Sequence, residues 1–319
     1  MNFVFFGTSN FAIPILDSLQ KREWPPKLII TTTDKPGGRG LKPKPSPVKI
    51  WAEKNNIPVL QPDNLKSPKV IKALSDTGYQ TAMVASYGKI IPQEIIDIFP
   101  KGILNVHPSL LPRWRGADPI RAAILSGDEK TGATIMLMDE KMDHGPILKH
   151  ETLNLNHSEN YSGLEKLLAE LGGKLLVEII PKWVAGEITP RDQNHAEATY
   201  TKKITKEDGR INWSESAEII ERKIRALNPW PGTYSFWNGK RIKILEGWLE
   251  LGSNQFWQEP SSNHSGWVVG RVFQHYGDLG INCKDGAILV KKLQLEGKKP
   301  QDAKDFLNGY PDMVGAVLT

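Results

Sequence analysis

Cysteine is all but missing from the 319-residue chain. Cys283 stands alone, so no disulfide closes within the chain and no four-thiolate metal site forms. Its expected place is that of a small buried hydrophobe rather than a nucleophile. Long apolar runs are missing too: none approaches the ~20 residues that span a bilayer. The opening Met1-Asn2-Phe3-Val4-Phe5-Phe6-Gly7 has neither the charged start nor the cleavage site of a secretory signal, so a cytoplasmic location is expected. The strand–glycine–helix start at Gly7-Thr8-Ser9-Asn10-Phe11 lacks G-x-G-x-x-G, which disfavours dinucleotide binding. P-loop, kinase and G-x-S-x-G patterns are also absent. His144 has no partner at metal-ligand spacing, and no metal is assigned.

What is present is the composition of an ordinary globular protein, 39% hydrophobic and 24% charged. At this length one core has usually stopped growing, so two domains are expected. The net charge of +5 is uneven: residues 1–150 hold 20 basic and 14 acidic side chains, the remainder 21 and 22. Such a basic excess permits an acidic partner such as RNA without establishing one.

Residues 1–150 alternate short β-rich runs (2–6, 28–33, 81–86, 103–107) with helical stretches (near 48–54, 69–74 and 92–98), the pattern of an α/β domain around a mostly parallel sheet. Ser9 or Asn10 is the expected cap of the first helix. A hairpin of 134–138 with 147–152 follows, then a long helix over 163–185 with an apolar stripe including Leu164, Leu167, Leu168, Leu175 and Ile179. The polar stretch 189–207 is read as a linker between domains at 1–188 and 208–319. After a helix over 214–226, β-type runs at 233–237, 241–248, 266–273, 280–283 and 287–295 suggest a small β-barrel. Strand number alone does not select an oligonucleotide-binding barrel.

The densest chemistry is Asn105-Val106-His107-Pro108-Ser109-Leu110-Leu111-Pro112-Arg113-Trp114-Arg115-Gly116, at the carboxyl end of an expected parallel strand, where open α/β sheets place their ligands. Strand alternation puts Asn105 and His107 on one side. An amide donor beside an imidazole suits polarising a carbonyl and holding an oxyanion; a histidine satisfied by backbone is the plainer alternative. In Met138-Asp139-Glu140-Lys141-Met142-Asp143-His144-Gly145-Pro146-Ile147-Leu148, Asp143 either supports His107 or is a solvated turn aspartate. The segment 33–49 has five basic residues after Asp34, three glycines and four prolines, and reads as a long loop. It is either a phosphate-contacting loop or a solvated connection. Basic residues mixed with Trp and Tyr after 200 suit nucleic-acid contact, although acidic residues nearly balance them.

These motifs resemble the methionyl-tRNA formyltransferase family across essentially the whole chain. Asn105-Val106-His107 with Ser109–Gly116 resembles its formyltransferase signature, with Pro108 where some members have Gly. Asp143 matches the position of its essential aspartate, 138–148 its second active-site segment, and Leu227-Asn228-Pro229-Trp230-Pro231-Gly232 a C-terminal motif. The resemblance implies a Rossmann-like formyltransferase domain followed by an oligonucleotide-binding-like barrel that binds tRNA. It implies transfer of formyl from 10-formyltetrahydrofolate, a consumed cosubstrate, to methionine on initiator tRNA, with Asn105, His107 and Asp143 catalytic. Folate would lie near Tyr87, Gly88, Lys89, Ile90, Ser109, Leu110, Leu111 and Pro112. Contacts to tRNA would come from Lys35, Arg39, Lys42 and Lys44 of the inserted loop and from Lys202, Lys203 and Lys206. The expected state is a monomer away from membranes. Rival readings are a nucleotide-sugar amine formyltransferase, a formyltetrahydrofolate hydrolase and a catalytically silent RNA-binding protein.

Overall fold

The computed structural model describes residues 1–37, 42–156, 158–249 and 267–319. They form two compact units, Met1–Ala123 with Glu129–Asn156 and Gly163–Lys202, and Ile124–Asp128 with His157–Ser162 and Lys203–Thr319. Along the chain come β1 (Val4–Gly7), α1 (Ala12–Lys21), β2 (Leu28–Ile30), β3 (Lys35–Gly37), β4 (Lys42–Lys44), α2 (Pro47–Lys54), β5 (Val59–Leu60) and α3 (Pro68–Ser75). Next are β6 (Ala82–Ala85), α4 (Gln93–Ile96), β7 (Ile103–His107), α5 (Pro119–Ser126), β8 (Lys130–Leu137), β9 (Ile147–Asn154) and α6 (Tyr161–Ala185).

The first unit is built on a sheet ordered β5-β2-β1-β6-β7-β8-β9. The pairs from β5 through β7 are parallel, and β8 and β9 add antiparallel. Every residue of β1 and β6 is buried, as expected of parallel strands covered on both faces. Strand order reverses between β1 and β6, which makes the carboxyl ends of the central strands the natural ligand crevice. Ser46 and Ser67 cap α2 and α3 through their hydroxyls, each followed by proline at the first helical position. At the start of α1 the regular helix begins after Phe11; the Ser9 hydroxyl accepts the Phe11 N–H at 3.3 Å, as a capping serine does, and donates to Ser86 Oγ at 2.7 Å.

Two expectations need correction. The segment 33–49 is not simply a loop, because β3 and β4 pair antiparallel, setting Lys35 opposite Lys44 and Pro36 opposite Pro43. Proline lowers strand propensity and hides this pairing from the sequence. The stretch 189–202, read as part of a linker, is tied into the first unit. Ile147 and Arg191 exchange backbone hydrogen bonds at 2.7 and 2.9 Å, and Arg115 N–H donates to Thr199 O while Thr201 N–H donates to Arg115 O. A polar stretch without period has no local signal for such bridges.

The second unit contains α7 (Ala217–Leu227), β10 (Thr233–Trp237), β11 (Lys240–Leu249), β12 (Val272–His275), β13 (Asp278–Asn282), β14 (Ala287–Leu295), β15 (Gln301–Asp302) and α8 (Ala303–Gly309). Its antiparallel sheet runs β10-β11-β14-β13-β12, with β15 on β14. The segment 315–319 joins the two outer strands. Phe236 of β10 exchanges backbone bonds with Thr319, while Gly315 N–H donates to Val272 O of β12 and Leu318 N–H to Gly270 O. The edges are thereby covered, as in a closed barrel. Ile220 and Ile224 of α7 and Phe306 of α8 pack with Ile242, Ile244, Ile281 and Val290 in its core, and Cys283 is fully buried among them. Asn238 and Gly239, at φ 48° and 74°, form the left-handed turn between β10 and β11 that an Asn-Gly pair favours.

Candidate active site

Strand β7 carries Asn105 and His107 on one face at its carboxyl end, and the chain then folds back on itself. Ser109 is fully buried and its hydroxyl donates to Arg113 O at 2.6 Å. Thr134 of β8 donates to Ser109 O at 2.6 Å and accepts from Leu111 N–H at 3.3 Å. The turn passes through a cis Leu111–Pro112 peptide and a left-handed Trp114. It returns the Trp114 carbonyl to His107 Nε2 at 3.0 Å. A carbonyl only accepts, so Nε2 carries a proton.

Asp143 comes from the loop between β8 and β9, also left-handed at φ 50°. Its Oδ2 accepts the Gly116 N–H at 2.7 Å. Its Oδ1 lies 3.4 Å from Asn105 Nδ2 and 3.5 Å from His107 Nδ1. The His107 and Asp143 side chains are 5% and 15% exposed, which keeps the attraction between them largely unscreened. With Nε2 committed to Trp114, a bare Nδ1 would set a lone pair against the carboxylate. A proton held between Nδ1 and Oδ1 removes that conflict. Gly116 has no alternative here: at φ 112° it sits where a Cβ would lie 2.7 Å from Thr201 Oγ1.

The loops expected near folate divide by side chain. Tyr87 is a core residue, 2% exposed, edge-on to Phe6, and burial pushes its hydroxyl up to about 12. Its backbone carbonyl accepts from Thr8 Oγ1. Lys89 turns its ammonium to the carbonyls of Pro62 and Asp63, Gly88 is left-handed and Ile90 is exposed. Leu110 Cδ2 lies 2.6 Å from where a Cβ on Gly132 would be, Leu111 is buried, and Pro112 O accepts from Thr199 N–H. Among the basic residues expected at tRNA, Lys35, Lys44, Lys202, Lys203 and Lys206 are exposed. Lys42 lies in β4, and Arg39 falls outside the described residues. Lys49, another basic residue of that segment, is paired with Asp34 at 2.8 Å, and this contact with the Gln61 amide holds the Asp34 carboxyl below its ordinary range.

Four residues around Asp143 have no role assigned by the sequence. Gln193 Nε2 donates to Asp143 O at 2.9 Å and to Gly145 O at 2.7 Å. Arg115, 1% exposed, donates to Gln193 Oε1 through Nε and Nη2, to His195 Nδ1 and to Tyr200 Oη. His195 stacks on His144 at 4.0 Å between ring centroids. Arg115 belongs to the formyltransferase-like motif, whereas Gln193, His195 and Tyr200 come from the polar stretch and give no local signal. Among the described residues no group of three or more His, Cys, Asp or Glu is placed to hold a metal, and no helix is long and apolar enough to cross a membrane.

Residues 1–180 match the formyl transferase family model and 203–311 that of the formyl transferase C-terminal domain. Methionyl-tRNA formyltransferase of Geotalea daltonii is 38% identical over 318 residues, covering 100% of this chain and 98% of that protein. The protein of that name from a Thermus thermophilus strain is 40% identical over 320 residues, covering 100% and 99%. This chain belongs to the methionyl-tRNA formyltransferase family. Solved structures more distant in sequence show the same fold. HypX from Aquifex aeolicus in complex with tetrahydrofolic acid superposes with a TM-score of 0.64 at 17% identity over 98% of this chain, which spans 48% of that one. An N-formyltransferase from Helicobacter canadensis in complex with folinic acid and dTDP-3-aminofucose gives 0.63 at 18% identity, covering 90% and 98%. For a methionyl-tRNA formyltransferase family member, the convergence of Asn105, His107 and Asp143 is the geometry from which the chemistry has to be read.

Proposed function

We propose that this protein transfers the formyl group of 10-formyltetrahydrofolate to the α-amine of methionine esterified to initiator tRNA, and that Asn105, His107 and Asp143 carry the reaction. The observation behind this reading is that an amide N–H, an imidazole nitrogen and a carboxylate meet within 3.5 Å at the end of a central strand. An α-amine has a pKa of about 7.7–8.0, so a neutral nucleophile is available near neutral pH. Its nitrogen attacks the formyl carbon, the carbonyl oxygen becomes an oxyanion, and the bond from that carbon to N10 of the folate breaks. The amine loses one proton and N10 gains one. Asn105 Nδ2 has a second N–H for the oxyanion, and His107 offers its Nε2–H there by releasing the Trp114 carbonyl. Asp143 stabilises the positive charge that develops on His107 during transfer, and the pair carries the proton between the two nitrogens.

Folate would be met at 87–90 and 109–112 mainly by backbone, since Tyr87 is a core residue and the Lys89 ammonium is already satisfied by carbonyls. The exposed lysines at 35, 44, 202, 203 and 206 would follow phosphates of the tRNA, joined by Lys42 and Arg39. A monomer acting in the cytoplasm completes the reading. The test offers 10-formyltetrahydrofolate with methionyl initiator tRNA, a nucleotide-sugar amine and water as competing acceptors. Formyl transfer to the tRNA is expected. Transfer to the sugar amine, release of formate, or tRNA binding without turnover would each overturn the assignment.

A further inference from the structure

Arg115 raises a question that formyl transfer by Asn105, His107 and Asp143 leaves open. It is 1% exposed, and among the described residues it has no carboxylate partner; its guanidinium donates only to Gln193 Oε1, His195 Nδ1 and Tyr200 Oη. Burying an arginine against neutral acceptors is costly and calls for a compensating task. The planar fork supplies one. Nε and Nη2 both point at Gln193 Oε1, at 3.1 and 2.7 Å, which fixes which end of that amide is oxygen. Both hydrogens on Gln193 Nε2 are then aimed at the carbonyls of Asp143 and Gly145, at 2.9 and 2.7 Å. A flipped amide would set N–H against the guanidinium and oxygen against two carbonyls, so a single orientation survives.

Asp143 needs such a hold. It is a non-glycine residue at φ 50° on a connection between strands, a backbone state with an intrinsic cost. Its carboxylate is anchored by the Gly116 N–H, from the same turn that supplies Arg115. Its main chain is anchored by Gln193, 50 residues away. The two anchors act on opposite ends of one residue and set where Oδ1 falls relative to Asn105 and His107.

We infer that Gln193 is a positioning residue for Asp143, with Arg115 locking the orientation of its amide. This rests on the role proposed above for Asp143. The test is Gln193→Glu in the full-length protein. Glutamate keeps the side-chain volume and pairs with Arg115, but has no N–H for the carbonyls of Asp143 and Gly145. A misplacement on the ångström scale costs about 10²-fold in kcat, and that loss is expected here with KM for folate and for methionyl-tRNA little changed. That split between a lowered kcat and unchanged KM values is what a merely structural role would not give. Arg115→Lys, which keeps the charge and loses the fork, should give a smaller loss. Combined with Gln193→Glu it should fall well short of multiplicative, because both act through one contact. An unchanged kcat, a loss that appears in KM instead, or a loss of kcat that merely tracks the folded fraction seen in thermal melts would overturn the inference. Asp143→Asn, run alongside, separates the two levels. If it keeps full activity the reading of the site fails. If it is inactive while Gln193→Glu is normal, only the positioning role fails.

Discussion

Replacing Asp143 by asparagine is the most direct probe of the site, and the backbone dictates the choice of residue. At φ 50°, asparagine adopts the left-handed state more readily than alanine, so Asp143→Asn removes charge without adding much strain. The Gly116 N–H retains an oxygen acceptor, which leaves the new NH2 facing Asn105 Nδ2 and His107 Nδ1. Two donors then oppose each other, and the positive charge that His107 acquires during transfer loses its counter-charge. At 3.5 Å, with an effective dielectric constant near 20, that attraction is worth about 5 kcal/mol. Solvent and neighbouring dipoles offset part of it, so the figure is a ceiling. A loss in kcat of about 10²–10⁴-fold is expected. The assay is single-turnover formyl transfer from 10-formyltetrahydrofolate to methionyl-tRNA at saturating enzyme, with tRNA affinity measured separately and expected to be unchanged. A fall in kcat of less than about tenfold, under about 1.4 kcal/mol of barrier, would refute the assignment of charge to this position.

Gly145→Ala should disturb the same loop without touching a reacting group. A Cβ there would overlap the Leu137 carbonyl, so the backbone must shift, with about 1–3 kcal/mol of stability lost and kcat reduced; an unchanged melting temperature and rate would count against the tight fit. Burial pushes the Cys283 thiol up to about 12, so a thiol reagent at mildly alkaline pH should label it only as fast as the protein unfolds, and rapid labelling of native protein would contradict its placement. The thiol's contribution to stability is present below the ordinary cysteine value and lost as pH rises from there toward about 12. His195 runs the other way. Desolvation, then the neighbouring His144, Arg115 and Lys141, against an opposing pull from Asp192, hold it below its ordinary value. The unfolded chain therefore takes up that proton first, and stability falls with pH from the ordinary imidazole value down to the lowered native one. His144 with its partner Asp139 and the hydroxyl of Tyr200 complete the surroundings. His195→Gln should flatten the melting temperature against pH as the pH falls below the ordinary imidazole value; superimposable curves for variant and wild type would show that the group does not titrate differently on folding.

How much of this is legible in the sequence follows from how far apart the partners lie. Strand β7 is expected over 103–107 and runs Ile103–His107, because a buried apolar run with a polar residue at each second position has one interpretation as a strand end. The burial of Cys283 and the left-handed turn at Asn238-Gly239 follow from residue type alone. The stripe of α6 is only partly right: Leu164, Leu168, Leu175 and Ile179 are buried, but Leu167 is 44% exposed, since period alone does not say which edge of a wide stripe meets the core. Asp143 lies 38 residues from Asn105, and no spacing rule joins them; the family resemblance, not the local pattern, brings them together. The pairing of β3 with β4 is hidden by prolines that suppress strand propensity but tolerate a short hairpin.

Gln193 shows why a polar stretch is a poor boundary marker. A segment with no apolar period buries little surface and so looks like a tether, yet its backbone and amides are the groups that can satisfy carbonyls left open by irregular turns. The turn after His107 and the loop at Asp143 both leave regular sheet structure in order to aim side chains, and each exposes backbone groups in doing so. Thr199 answers the first, accepting from Trp114 N–H at 2.8 Å through its hydroxyl and donating its own N–H to Pro112 O. Gln193 answers the second. The segment through Lys202 is on this argument part of the catalytic unit in chemical terms as well as in compactness, although its sequence carries none of the unit's hydrophobic signature. A site assembled from strained turns needs such a polar brace, and the brace is legible only once the turns are seen.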